Sequence, residues 1–196
     1  MPLYTLSRSF DPDWTEQDFD KMMRRAVAGL SWHPPVYWRR SYGIDREGPV
    51  EGFCVYQAET LRHIQQQQRV CWIPFTEARE VQEACRPGVG LGPFEAPDGQ
   101  SLFLVERTFG EEMTLPCLVE SNLSLAWGGV TWIRSFWDAQ RKSSRCIFAA
   151  ESSSRVAEAL GGEVTVLPVV EGHPSELVEM YDQWGIEHSW EEPVPV

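Results

Sequence analysis

The chain has 196 residues and a mass of 22.4 kDa, enough for one good-sized core or for two small similar modules. Seventeen Lys and Arg against 29 Asp and Glu give a net charge of −12, which argues against unaided binding to nucleic acid or to an anionic membrane surface. No stretch approaches the ~18 apolar residues of a membrane helix.

The first residues, Met1 to Arg8, lack the apolar run of a secretory signal, and the five cysteines form no C-x-x-C pair. Both features fit reduced thiols in a cytoplasm. Cys54 and Cys146 lie inside apolar runs and are expected in the core.

Leu3 to Phe10 reads as a strand, and Thr15 to Gly29 as a helix opened by a Thr15/Asp18 capping box. Two strands joined by a turn-rich loop follow, Val36-Tyr37-Trp38-Arg39-Arg40-Ser41-Tyr42 and Phe53-Cys54-Val55-Tyr56-Gln57-Ala58. A second helix is predicted over 59–71, with Gln65-Gln66-Gln67-Gln68 on a solvated face, and a last short strand over 76–81. Residues 86–100 hold four Gly and three Pro and read as a linker.

The same order then recurs. Leu102 to Phe109 matches the first strand, down to the shared Arg8 and Arg107. Val130-Thr131-Trp132-Ile133-Arg134-Ser135-Phe136 repeats the V-x-W-x-R-S-aromatic pattern, and Arg145-Cys146-Ile147-Phe148 repeats the cysteine strand. Helices are expected over 115–125 and 154–161, with Gly161-Gly162 as a stop, and a closing strand over 163–169. Each copy is thus β-α-β-β-α-β, the ferredoxin-like unit. The predicted fold class is α+β: tandem ferredoxin-like repeats packed sheet to sheet as a single-chain pseudo-dimeric α+β barrel. The domains are 1–85, the linker 86–100, a second copy over 101–170 and an acidic extension over 171–196. In that extension Leu177, Met180, Tyr181 and Trp184 form a helical apolar stripe. Residues 156–196 carry nine acidic residues and no Lys or Arg, so most of the net charge lies there.

The segment Trp38 to Tyr42, the strand at Cys54, Ala58-Glu59 before the next helix and Trp72-Ile73-Pro74-Phe75-Thr76 resemble a small ferredoxin-like family described as nickel-responsive or nickel-binding, domain of unknown function 4242. The resemblance covers about 2–82 well and 101–170 less well. It implies a homodimeric ancestor and nickel held by histidine. His33 and His63 are the histidines inside the repeats, and neither has a counterpart in the second copy. No motif specifies any other cofactor.

The repeated Arg40-Ser41 and Arg134-Ser135 pairs are the best candidate ligand-binding residues, as anion contacts in the barrel, with ion pairing to a carboxylate as their structural alternative. Trp38 and Trp132, if they face inward, would line an apolar pocket; as core residues they would fill it. The resulting functional reading is a soluble, non-catalytic or weakly catalytic small-ligand-binding module for a metal or an anionic aromatic compound. A cofactor-independent barrel enzyme and an acidic adaptor binding a protein through 171–196 are the alternatives. The chain is expected as a monomeric pseudo-dimer or as a homodimer of it.

Overall fold

A computed structural model of the chain describes residues 1–11, 13–29, 34–45, 50–90, 92–125, 128–161 and 164–183. Among them the fold is α+β, with eight strands and five helices. In chain order these are β1 (Leu3–Ser9), α1 (Glu16–Ala28), β2 (Val36–Ile44), β3 (Glu51–Ala58), α2 (Leu61–Val70), β4 (Glu77–Cys85), β5 (Ser101–Thr108), α3 (Leu115–Ser124), β6 (Thr131–Asp138), β7 (Ser143–Ala150), α4 (Ser153–Leu160), β8 (Val166–Gly172) and α5 (Pro174–Gln183). The order β-α-β-β-α-β therefore occurs twice before α5. None of the described helices is long and apolar enough to cross a membrane.

Hydroxyl side chains start the helices. Thr15 and Asp18 exchange hydrogen bonds as a capping box, with Asp18 N donating to Thr15 Oγ1 at 3.3 Å and Thr15 N to Asp18 Oδ2 at 3.0 Å. Thr60, Thr114 and Ser152 cap α2, α3 and α4 through the amides of His63, Cys117 and Arg155. At the other end of α4, Gly161 takes φ +63°, a conformation that favours glycine.

The chain divides into two compact units, one of Met1–Gly43, Glu47–Glu80 and Gly172–Val196, the other of Ile44–Arg46 and Val81–Glu171. In unit one the sheet order is β1-β3-β2, all antiparallel, and Thr76 N donates to Ser7 O at the entry to β4. Tyr4, Leu6, Trp38, Cys54 and Tyr56 share one face of this sheet and pack with Ile64 of α2 and Met23 of α1. Unit two has the order β8-β5-β7-β6-β4. Its core joins Phe103, Val105, Trp132, Cys146 and Phe148 to Leu118 of α3 and Val156 of α4.

Each unit carries a β-bulge at the same place in its repeat. Trp38 lies opposite Tyr56 and Arg40 opposite Val55, so Arg39 is the extra residue; in unit two Trp132 and Arg134 lie opposite Phe148 and Ile147, with Ile133 extra. A bulge inverts the alternation of faces beyond it. Trp38 and Ser41 therefore share a face, while Arg40 points to the other one.

Candidate functional site

The shared face brings four residues from three strands of unit one into one hydrogen-bonded relay. The Trp38 Nε1–H donates to Ser41 Oγ at 2.9 Å, and the Ser41 hydroxyl donates to Cys54 Sγ at 2.9 Å. From the opposite side Arg8 Nε donates to the same sulfur, also at 2.9 Å. Direction is fixed at both ends, because an indole N–H and a guanidinium can only donate. Two donors thus converge on the Cys54 sulfur.

Arg8 is 6% exposed, and its remaining bonds go to Pro74 O at 2.5 Å, Gln68 Oε1 at 2.7 Å and Tyr56 Oη at 3.1 Å. All these acceptors are neutral. No carboxylate among the described residues reaches this buried cation, an arrangement that proteins seldom tolerate without a compensating anion. Burial works against the charged form of Arg8, but Cys54 and Tyr56 outweigh it and hold the guanidinium protonated well above its ordinary range. Burial also pushes the Tyr56 phenol up to about 12, with Arg8 pulling down and Cys54 pushing further up. Gln68 is itself oriented by Gln67, whose Oε1 accepts from Gln68 Nε2 at 2.9 Å and whose Nε2 donates to Gly29 O at 2.7 Å.

A cavity of about 360 Å³ opens on the relay. Arg8, Ser41, Cys54 and Tyr56 form its polar wall; Phe10, Met22, Ala26, Trp38, Phe53 and Ile73 supply most of its apolar surface. His173 and Glu176, at the start of α5, lie at its edge. Apolar walls with a few convergent polar groups are the usual make-up of a small-molecule site.

Unit two repeats the relay, there buried, with Trp132 2% and Ser135 and Cys146 0% exposed. Trp132 Nε1 donates to Ser135 Oγ at 2.9 Å, and Ser135 Oγ to Cys146 Sγ at 3.0 Å. Arg107 approaches Cys146 more loosely, at 3.6 Å, and its NH2 group donates to Asn122 Oδ1 at 2.7 Å. Asn122 of α3 also donates to Ser135 at 3.1 Å, and the Ser144 hydroxyl lies 3.2 Å from Cys146 Sγ. Gly52 occupies the position of Ser144 in the first copy and lines the cavity there, so no hydroxyl competes for Cys54 from that side. Unit two does have a groove, bordered by Leu125, Gly128, Arg155 and Glu158, away from the relay.

The residues singled out from sequence thus fall into two groups. Trp38 and Ser41 line the cavity, and Trp132 and Ser135 are buried in the equivalent relay. Arg40 and Arg134 are buried on the opposite faces of their sheets, 1% and 0% exposed, and Arg134 pairs with Glu83 of β4 at 3.1 Å. His63 is half-buried on α2 with Nδ1 4.0 Å from Glu59, and His33 lies outside the described residues. Among the described residues no group of three or more His, Cys, Asp or Glu side chains is placed to hold a metal ion. The extension's apolar stripe lies outside the described side chains. Sequence reasoning passed over Arg8 and Gln68. The Arg8/Arg107 match was the available signal for the first, whereas the Gln run was expected on a solvated face and instead has Gln67 and Gln68 buried.

No family model and no curated protein matches the chain. Among solved structures it is similar to a proposed monooxygenase from Lactobacillus acidophilus NCFM, with a TM-score of 0.42 and 10% identity over 87% of this chain and 93% of that one. It is also similar to an anthrone oxidase-like protein, with a TM-score of 0.39 and 11% identity over 88% and 93%. Neither transfers a residue role to this chain.

Proposed function

We propose that the chain is a tandem duplication of a ferredoxin-like unit in which the first copy binds a small, largely apolar molecule carrying an acceptor oxygen. The observation that carries this reading is the cavity beside a buried guanidinium with no carboxylate partner among the described residues. Its apolar walls take the body of an aromatic-sized ligand. Tyr56 and Arg8 lie at the end where a carbonyl, carboxylate or phenolic oxygen gains most from a donor.

Titration with 4-phenyl-2-butanone, followed by quenching of tryptophan fluorescence, tests the reading. Saturable binding at one site per chain is expected, because the corresponding relay residues Ser135 and Cys146 of unit two are fully buried. Ala26→Leu adds bulk to the cavity wall, and binding should weaken by about tenfold or more if the ligand sits there. Unchanged affinity in this variant, or no saturable binding in the parent, overturns the assignment.

A further inference from the structure

The relay has a chemical direction that a binding site alone does not require. Trp38, Ser41 and Arg8 all pass their hydrogens toward one sulfur, and among the described residues none accepts a hydrogen from Cys54. The sulfur thus sits as an acceptor beside a guanidinium that no carboxylate among the described residues reaches. Cys54 belongs to the core of unit one and also lines the cavity. Resting on the ligand-binding reading, we infer that Cys54 is a nucleophile that adds covalently to an electron-poor carbon–carbon double bond of an aryl enone bound in the cavity.

The addition needs no oxidant or reductant. The Cys54 thiol gives its proton to water, and its sulfur supplies an electron pair to the β-carbon, so that a carbon–sulfur bond forms as the sulfur–hydrogen bond breaks. The π pair of the double bond moves toward the carbonyl and leaves an enolate oxygen. That oxygen, lying by Arg8 and Tyr56, takes a proton from the Tyr56 hydroxyl, which water later restores; the enol then becomes the saturated ketone thioether. Tyr56 Oη accepts from Arg8 NH2 and shares a side-chain hydrogen bond with Gln68, which hold the hydroxyl in place at the cavity wall. Its raised pKa keeps the hydroxyl protonated at neutral pH.

Unit two supplies the internal control. Cys146 has the same Trp–Ser donor chain, but Ser144 lies against its sulfur, its guanidinium is farther away and the residue is fully buried. It is not expected to react. Cys117 is exposed and serves as the comparison thiol.

The test uses the full chain and 4-phenyl-3-buten-2-one, with intact mass measurement and peptide mapping over time. One adduct on Cys54, formed about tenfold faster than any on Cys117 and blocked by excess 4-phenyl-2-butanone, is the expected result. Ser41→Ala should slow adduct formation by about tenfold at saturating enone, where any change in affinity does not enter the rate. If the saturated ketone binds but Cys54 stays unmodified, or reacts no faster than Cys117, the covalent step is wrong and the binding reading stands. If the saturated ketone does not bind, both fall. Labelling of Cys146 ahead of Cys54 likewise overturns the inference.

Discussion

The indole N–H of Trp38 reaches the hydroxyl of Ser41, three residues along the same strand, at 2.9 Å because Arg39 is bulged out between them. The same bond, at the same length, joins Trp132 and Ser135 across the bulged Ile133. Trp38→Phe keeps the ring and removes the donor. It is expected to cost about 1 kcal/mol of stability, and Trp132→Phe rather more, because Ser135 is completely buried and Trp132 nearly so. Urea unfolding of the two variants measures the difference, and equal midpoints would show that the relays are energetically alike.

Arg8 ties β1 to β3, α2 and the Pro74 carbonyl. Arg8→Met removes the buried charge but leaves Gln68 Oε1 and Pro74 O without their donor, so a net loss of about 3 kcal/mol is expected from denaturant midpoints. Gln68→Leu in the same background should recover part of it, since the orphaned amide oxygen is then gone. A Gln68→Leu change that destabilises Arg8→Met further would refute the account.

Two ion pairs of unit two separate buried from exposed electrostatics. The Arg134 side chain is 0% exposed and meets Glu83 at 3.1 Å, while Arg145 meets Glu106, 56% exposed, at 2.6 Å. Glu83→Ala strips a buried cation of a carboxylate and should cost about 3 kcal/mol, whereas Glu106→Ala should cost under about 1 kcal/mol. Thermal unfolding at low and high salt checks this, with salt affecting only the second pair appreciably.

Tyr56 gives the alkaline limb a defined sign. Burial raises its folded pKa from the ordinary 10.0 to about 12. The folded chain therefore binds this proton more tightly than the unfolded chain, and the associated stability is complete below about pH 10 and is lost as pH rises through about 12. Midpoints measured across that window should fall for the parent, and Tyr56→Phe should fall less steeply. Equal slopes would show that Tyr56 does not contribute.

Gly52 lets the β2 and β3 backbones approach closely. A Cβ built there would lie 2.2 Å from Tyr42 O, so Gly52→Ala must push the β2 and β3 backbones apart at the cavity wall. A loss of about 2 kcal/mol is expected, together with weakened ketone binding. Normal stability in that variant would mean that the hairpin yields without strain.

Much of this was legible in the sequence because strand and helix order can be read without any geometry. The order of elements, the Thr15/Asp18 cap and the core placement of Cys54 and Cys146 all follow from spacing and propensity. The faces do not. Strict strand alternation puts Trp38 and Arg40 together and Ser41 opposite them, whereas one bulged residue reverses this, and no residue type at position 39 or 133 announces a bulge. Gln68 was equally hidden, since an amide on a helix face earns burial only when a cation such as Arg8 arrives from elsewhere in the fold.

The split of β4, with Glu77–Glu80 in one unit and Val81–Cys85 in the other, decides how the chain can be cut. Gln82 to Cys85 form the ladder beside β6, opposite Trp137 to Arg134. A fragment starting at the linker would expose β6 as an unpaired edge with apolar side chains along it, and exposed edges of that kind recruit strands from other molecules. Such a half should aggregate or trade strands with its neighbours, while one beginning before Val81 retains its own border.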